Sequence, residues 1–327
     1  MTPLLDVQDM HVTFETEDGL VRAVDGVSFS VEAGKTLGIV GESGSGKSVT
    51  SLTVMGLTRG PSTKISGTAM FEGEDLIAAS DVQLREVRGN EVAMIFQDPL
   101  SSLHPFYKVG TQLVEAIQTH QHVSRGAAWD RSGQLLELVG IPEARKRLDH
   151  YPHEFSGGMR QRAMIAMALS NDPKVLIADE PTTALDVTVQ AQILDLIQDL
   201  QREFGSAVIM ITHDLGVVAE VADEIAVMYA GRIVETAPAR ILYKRPQHPY
   251  TQGLMASIPR LDGDTRQRLV PIEGQPPNLA QLPPGCAFAT RCRMAMPRCH
   301  DERPPLEAVG DNHLKACFLD MRAEAHA

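Results

Sequence analysis

The residues Gly41-Glu42-Ser43-Gly44-Ser45-Gly46-Lys47-Ser48 match the pattern G-x-x-x-x-G-K-[ST] without a break. The apolar run Leu37-Gly38-Ile39-Val40 precedes them and Val49, Leu52, Val54 and Met55 follow, so the stretch reads as strand, glycine loop and helix. In that setting backbone N–H groups from Gly41, Ser43, Gly44, Ser45 and Gly46 turn inward onto phosphates, and the helix start adds its positive end. Lys47 supplies a charge to the β- and γ-phosphates and the Ser48 hydroxyl completes a Mg²⁺ shell. The chemistry expected here is binding of a nucleoside triphosphate.

Further polar residues stand at the ends of apolar runs. Val175-Leu176-Ile177-Ala178 leads into Asp179-Glu180-Pro181. Two carboxylates at a buried strand end cost free energy unless a metal or hydrogen bonds compensate them. With a phosphate loop in the same chain, Asp179 reads as a Mg²⁺ ligand and Glu180 as the general base that polarises water. Val92-Ala93-Met94-Ile95-Phe96 ends in Gln97-Asp98-Pro99, where Gln97 is either a water or metal ligand or a capped surface glutamine. Val208-Ile209-Met210-Ile211 ends in Thr212-His213-Asp214, and His213 is either structural or a contact to the γ-phosphate and the attacking water. Phe155-Ser156-Gly157-Gly158-Met159-Arg160-Gln161-Arg162 runs directly into an apolar helix, repeating at Ser156, Gly157 and Gly158 the anion-seeking device of the first loop. Phe14 either packs in a small sheet or offers its ring face to adenine.

The four cysteines, Cys286, Cys292, Cys299 and Cys317, gather in the final segment with five, six and seventeen residues between them. Disulfides do not persist in a reducing compartment, so the clustering points to a metal centre. Four thiolates suit either Zn²⁺ or an iron–sulfur cluster. The spacing lacks the Cys-x-x-Cys knuckle usual for structural zinc, and Arg291, Arg293 and Arg298 would offset the charge of a tetrathiolate cluster. The residues alone leave the metal open.

The elements that must position these groups follow from periodicity. Residues 4 to 40 alternate short apolar runs with turns, as antiparallel strands do. Ile65 to Phe71 is strand-like. From about 110 to 170 the period becomes helical, with Val109, Leu113, Val114 and Ile117 on one face and Leu135, Leu136, Leu138 and Val139 on another. Ile193, Leu196, Ile197 and Leu200 mark an amphipathic helix, and Ile225 to Met228 a further strand. Beyond residue 258, Pro259, Pro271, Pro276, Pro277, Pro283 and Pro284 read as a linker with extended segments. With 30 Lys+Arg against 42 Asp+Glu the net charge is −12, which disfavours a nucleic-acid partner. The start of the sequence lacks the pattern of a secretory signal, and no apolar run is long enough to cross a bilayer. A soluble, cytosolic chain is expected, which would work at a membrane only through other subunits.

In order and spacing, Gly41 to Ser48, Gln97, Phe155 to Gly158, Asp179-Glu180, Asp186 and His213 resemble the nucleotide-binding subunits of ABC transporters over about residues 4–258. The Gly-Glu-Ser-Gly-Ser-Gly-Lys-Ser loop, Phe-Gln-Asp-Pro at 96–99, the stretch at 155–162, His248-Pro249-Tyr250-Thr251 with Leu254, and the cysteine-bearing tail resemble the D-type ATPase subunit of bacterial oligopeptide and dipeptide importers, a group with nickel-importing relatives.

The resemblance implies an α/β fold, a P-loop NTPase cassette with a mixed sheet core, an antiparallel β subdomain and a helical subdomain at about 100–165. The cassette would span residues 1–258 and a loop-rich extension 259–327. It implies ATP hydrolysis by Glu180, His213 and Gln97, Mg²⁺ on Ser48, Gln97 and Asp179, adenine on Phe14, and a [4Fe-4S] cluster ahead of zinc on Cys286, Cys292, Cys299 and Cys317. ATP would be sandwiched between the phosphate loop of one cassette and Ser156, Gly157, Gly158 and Asp186 of a second. The implied partners are an F-type ATPase subunit, two membrane-spanning permeases and an extracytoplasmic solute-binding protein, with the chain peripheral on the cytoplasmic face of the inner membrane.

Met159 stands where many ABC proteins have Gln, although D-type subunits resemble this sequence there; His104 and Ala289-Thr290 depart from the family's commoner residues, and the role of the His-Pro-Tyr-Thr stretch is not transferred, since it reads equally as a plain turn into a helix. The alternatives are an importer of nickel or another solute and a soluble ABC ATPase of DNA repair or translation. The acidic balance, the single cassette and the lack of a long coiled-coil insertion argue against the soluble one.

Overall fold

The computed structural model describes residues 2–17, 19–98, 102–183, 186–257, 271–310 and 312–320; Pro99, Ala184, Leu185 and Pro259 lie outside them. Strands run in chain order Leu5–Thr16 (β1), Gly19–Val31 (β2), Thr36–Val40 (β3), Thr63–Phe71 (β4), Glu74–Asp75 (β5), Val92–Ile95 (β6), Val175–Asp179 (β7), Ala207–Thr212 (β8), Glu224–Tyr229 (β9), Arg232–Pro238 (β10), Glu307–Gly310 (β11) and His313–Lys315 (β12). Helices are Lys47–Val54 (α1), Asp81–Val87 (α2), Val109–His120 (α3), Arg125–Leu138 (α4), Ala144–Arg147 (α5), Gly157–Ala168 (α6), Val187–Phe204 (α7), Leu215–Val221 (α8), Ala239–Lys244 (α9), Pro249–Ala256 (α10) and Arg298–Asp301 (α11). The chain divides into two compact units. A loop unit comprises Leu5–Ser30, Thr36–Ala78 and the chain from Thr212 onward; a helical unit comprises Val31–Lys35, Ala79–Ile211 and the chain start through Leu4.

In the loop unit an antiparallel sheet has the order β2-β1-β4-β5. Its β1 strand buries Leu5 and Val7 and then Met10 and Val12, a change of phase that an uninterrupted strand cannot make. A bulge between Gln8 and His11 supplies the extra residue, with Asp9 at φ 47°. Gly67 faces the bulge, where a Cβ would stand 2.4 Å from the Asp9 carbonyl oxygen. A second sheet region pairs β3 parallel with β9, then β10, β12 and β11 antiparallel in turn. The β11–β12 hairpin belongs to the Pro-rich tail. These strands are short and polar, so no alternation announced them.

The helical unit carries β6, β7 and β8 as neighbouring parallel strands. Every residue of β7 and β8 is buried, as expected of parallel strands covered on two faces. On α3 the buried Val109, Leu113, Val114 and Ile117 form the face that the helical period predicts. Gly110 lets neighbours close in, since a Cβ there would lie 2.8 Å from Leu148 and Trp129 side-chain atoms. Ser124 caps α4 by accepting the Ala127 N–H at 3.2 Å. Among the described residues no helix is long and apolar enough to cross a membrane.

Candidate nucleotide site

The fully buried β3 delivers the chain into the phosphate loop. Gly41 passes so close to β9 that a Cβ would meet the Met228 carbonyl oxygen at 2.2 Å. Gly46, at φ 103°, leaves only 2.4 Å between a Cβ and the Ala23 carbonyl oxygen, so glycine alone fits. The Ser45 N–H donates to the Glu42 carbonyl at 3.2 Å, and the Ser45 carbonyl accepts the Gly231 N–H at 2.9 Å. Ser43 and Gly44 are exposed at the tip. Helix α1 starts at Lys47 without a side-chain cap, an arrangement in which an anion serves as the cap. The buried Lys47 folds back over its own loop, with Nζ donating to the carbonyls of Gly41 at 2.8 Å and Glu42 at 3.0 Å. In the same unit Phe14 is half-buried and pairs in register with Thr63, and His213 is exposed directly after β8.

The helical unit holds the carboxylates. Asp179, the last residue of β7, is buried, and Glu180 follows in the left-handed region at φ 47°. Its N–H donates to the Ile211 carbonyl at 2.8 Å, which fixes the turn. Glu180 Oε2 accepts Gln97 Nε2 and Thr183 Oγ1, each at 2.8 Å. The structure thus joins Gln97 to Glu180. Ser156 caps α6 by accepting the Met159 N–H at 3.3 Å, while Ser156 and Gly157 stay exposed. Asp186 caps α7 by accepting the Val189 N–H at 2.9 Å. A Cβ on Gly158 would lie 3.1 Å from Val189 Cγ1, so the two helix starts meet closely.

Cys286, Cys292 and Cys317 are partly buried and Cys299 is buried. The Cys286 N–H donates to the Cys299 carbonyl at 2.8 Å. Burial pushes the Cys286 thiol up to about 11, and the charges of Cys299, Cys317 and Cys292 add to the rise. Among the described residues no group of three or more His, Cys, Asp or Glu is gathered tightly enough to hold a single ion. Zinc, with Zn–S bonds of about 2.3 Å, requires sulfurs about 3.8 Å apart. A four-iron cube holds its thiolates wider. Each of the neighbouring arginines pairs with a carboxylate. Arg291 binds Glu42, Arg293 binds Glu273 at 2.8 Å and Arg298 binds Glu302 at 2.8 Å while lying over Phe318.

Three residues with no expected part in the nucleotide site stand in this loop unit. The Tyr250 hydroxyl accepts the Glu42 N–H at 2.8 Å, so the His-Pro-Tyr-Thr turn reaches the phosphate loop. Arg291 grips the Glu42 carboxylate. The fully buried Glu235 accepts the N–H groups of Gln247 at 2.6 Å and His248 at 3.0 Å and meets His313 Nε2 at 2.8 Å. The His248-Pro249-Tyr250-Thr251 stretch was a sequence signal for Tyr250, and Arg291 stood out only for its place beside Cys292.

Residues 24–183 match the family model for ABC transporters. The solved structure of a dimeric bacterial ABC transporter cassette aligns with a TM-score of 0.65 at 25% identity, covering 72% of this chain and 99% of that one. Part of the ABC transporter complex cbiONQ, cbiO1 from Clostridium perfringens, aligns with a TM-score of 0.63 at 27% identity, covering 75% of this chain and 92% of that one. Fold and site together define an ATPase of the ABC class.

Residues 234–299 match the model for the C-terminal region of oligopeptide/dipeptide transporters. The oligopeptide transport ATP-binding protein OppD of Haemophilus influenzae is 52% identical over 98% of each chain. The dipeptide transport ATP-binding protein DppD of Bacillus subtilis is 52% identical over 99% of this chain and 97% of its own. The chain belongs to the family of oligopeptide and dipeptide transport ATP-binding proteins.

Proposed function

We propose that the chain is the ATP-hydrolysing subunit that powers import of oligopeptides or dipeptides, the cargo in its relatives' names, rather than of nickel or another solute. One observation carries the catalytic half of the reading. Gln97, Glu180 and Thr183 meet at the end of β7, where a water would be activated, in a chain with an intact phosphate loop. Lys47 and the N–H groups of Gly41, Ser43, Gly44, Ser45, Gly46 and Ser48 bind the phosphates, and Phe14, half-buried, has ring surface left for adenine. Ser48, Gln97 and Asp179 would hold Mg²⁺, which when bound offsets the charge developing on the β- and γ-phosphates. Glu180 takes a proton from the attacking water, and His213 orients that water against the γ-phosphate.

A second cassette, of the F type, completes the site. Its Ser156-Gly157-Gly158 helix start and Asp186 close over the nucleotide held by this chain's loop, and the same residues of this chain close over the other nucleotide. The exposure of Ser156 and Gly157 supports this. Residues 1–258 form the cassette and 259–327 its extension. In the extension Cys286, Cys292, Cys299 and Cys317 would hold a [4Fe-4S] cluster, with zinc as the alternative. Two permeases dock on the helical region, where Phe106 and Tyr107 are 82% and 56% exposed, and a solute-binding protein delivers cargo from the far side. The chain thus sits peripherally on the cytoplasmic face of the inner membrane.

Purification from detergent-solubilised membranes tests the assembly: two permeases and a second cassette are expected with the chain, whereas recovery with ribosomes or DNA and no permease overturns it. Anaerobic purification with iron and sulfide analysis tests the tail, about four irons per chain being expected and zinc without iron refuting the cluster.

A further inference from the structure

Glu42 is the second residue of the phosphate loop, and every polar group it has is held, its N–H and its carboxylate by residues far along the chain. Its N–H donates to Tyr250 Oη at 2.8 Å. Its carbonyl accepts Lys47 Nζ at 3.0 Å. Its carboxylate takes a two-pronged grip from Arg291, Nη2 to Oε1 at 2.9 Å and Nη1 to Oε2 at 2.5 Å. Arg291 is itself immobilised. Its side chain is 3% exposed, Nε donates to the Glu273 carbonyl at 3.0 Å, and Nη1 reaches Tyr229 Oη at 3.3 Å. The guanidinium stands 5.8 Å and 5.9 Å from the ring centroids of Tyr229 and Phe288. Those rings pack with Tyr250 at centroid distances of 4.6 Å and 5.4 Å.

An ion pair with one buried and one part-buried partner contributes little net stability once desolvation is counted, so its effect is mainly one of geometry and local charge. The fork fixes the plane of the Glu42 carboxylate, and with Tyr250 it fixes the peptide from which the loop starts its turn. It also cancels a negative charge beside the place where a triphosphate would lie.

We propose that Arg291, seconded by Tyr250, is a positioning residue for ATP: a side chain of the C-terminal extension holds the phosphate loop in its binding shape and neutralises Glu42. This rests on the ATP site proposed above. Without Arg291 the unpaired Glu42 repels the nucleotide and the loop loses its anchor. Arg291→Lys keeps the charge but not the fork.

The test is equilibrium titration of the full-length, anaerobically purified chain with Mg-ATP, alongside KM and kcat for hydrolysis. Arg291→Ala is expected to weaken ATP binding about ten-fold and raise KM in proportion, with kcat held within about two-fold. Arg291→Lys should fall between, and Arg293→Ala, which breaks only the exposed pair with Glu273, should match wild type. Arg291→Ala combined with Glu42→Ala should bind ATP better than the product of the single effects, since the repelling charge is gone. Should Arg291→Ala lose iron or unfold, Arg291→Lys decides, because it keeps the charge and loses only the fork: a raised KM supports the proposal and wild-type KM overturns it. Folded Arg291→Ala with wild-type affinity also overturns it. Lys47→Ala separates the two levels, for if wild type and Lys47→Ala bind ATP alike, it is the ATP site itself that is refuted.

Discussion

Glu180 is held in a conformation that L-residues rarely adopt, at φ 47°, by its N–H bond to Ile211 and by two donors on a single carboxylate oxygen. Such backbone costs about 1 kcal/mol and persists where the surroundings over-determine it. Replacing Glu180 by Gln keeps the size and the hydrogen-bonding ability and removes the base. ATP binding should stay while phosphate release falls about 10²- to 10⁴-fold; undiminished turnover takes Glu180 out of catalysis. His248 makes a different residue-scale point. Burial holds its imidazole down to about 4, against the pull of Glu235, with Lys315 adding to the depression. Its Nδ1 accepts the Tyr250 N–H at 3.1 Å, and a proton there would displace that donor. The native state therefore resists a proton that the unfolded chain takes up near pH 6.5. Stability is fully present above that pH and is lost as pH falls from about 6.5 to about 4, by roughly 3 kcal/mol in all. Urea unfolding at pH 7 and pH 4.5 checks this, and His248→Asn should flatten the dependence.

Among the elements, periodic ones were legible and contact-made ones were not. The apolar runs of β7 and β8 and the buried face of α3 announce themselves because each side chain's burial follows from its neighbours' spacing. The β11–β12 hairpin has no such period, and its place beside β10 depends on pairs such as Glu235 with Lys315. The Tyr250 and Arg291 contacts bridge 208 and 249 residues to Glu42, a distance over which spacing carries no information. Glu235 is where such elements are tied: β10, the turn into α10 and β12 converge on one buried carboxylate. Glu235→Ala orphans three donors and should cost about 3 kcal/mol or more in thermal or urea unfolding. Ser156 at the start of α6 offers the contrast. Ser156→Ala removes a cap with a long 3.3 Å bond, so stability should drop only about 0.5 to 1 kcal/mol. Turnover should fall far more, because the proposed role of that hydroxyl is on the nucleotide of the facing cassette; proportional small losses in both would leave Ser156 a cap and nothing else.

At the scale of the whole molecule the machinery is split by unit. The phosphate loop and His213 belong to the loop unit, whereas Asp179, Glu180, Gln97 and the Ser156 helix start belong to the helical unit. In the proposed assembly ATP with Mg²⁺ would add contacts shared by two chains, which stabilises the associated state only while nucleotide is bound. Val187, 83% exposed at the first turn of α7 beside Asp186, lies where the second chain would arrive. Association should therefore require ATP, and it should be trapped when hydrolysis is blocked. In sedimentation velocity Glu180→Gln should shift to a two-cassette species with Mg-ATP, alone or with the second cassette added, and return to monomer with ADP. Val187→Asp in that background should abolish the shift without changing ATP affinity in the monomer. A monomer whose specific activity is independent of its concentration and of any second cassette would show that one chain hydrolyses ATP unaided.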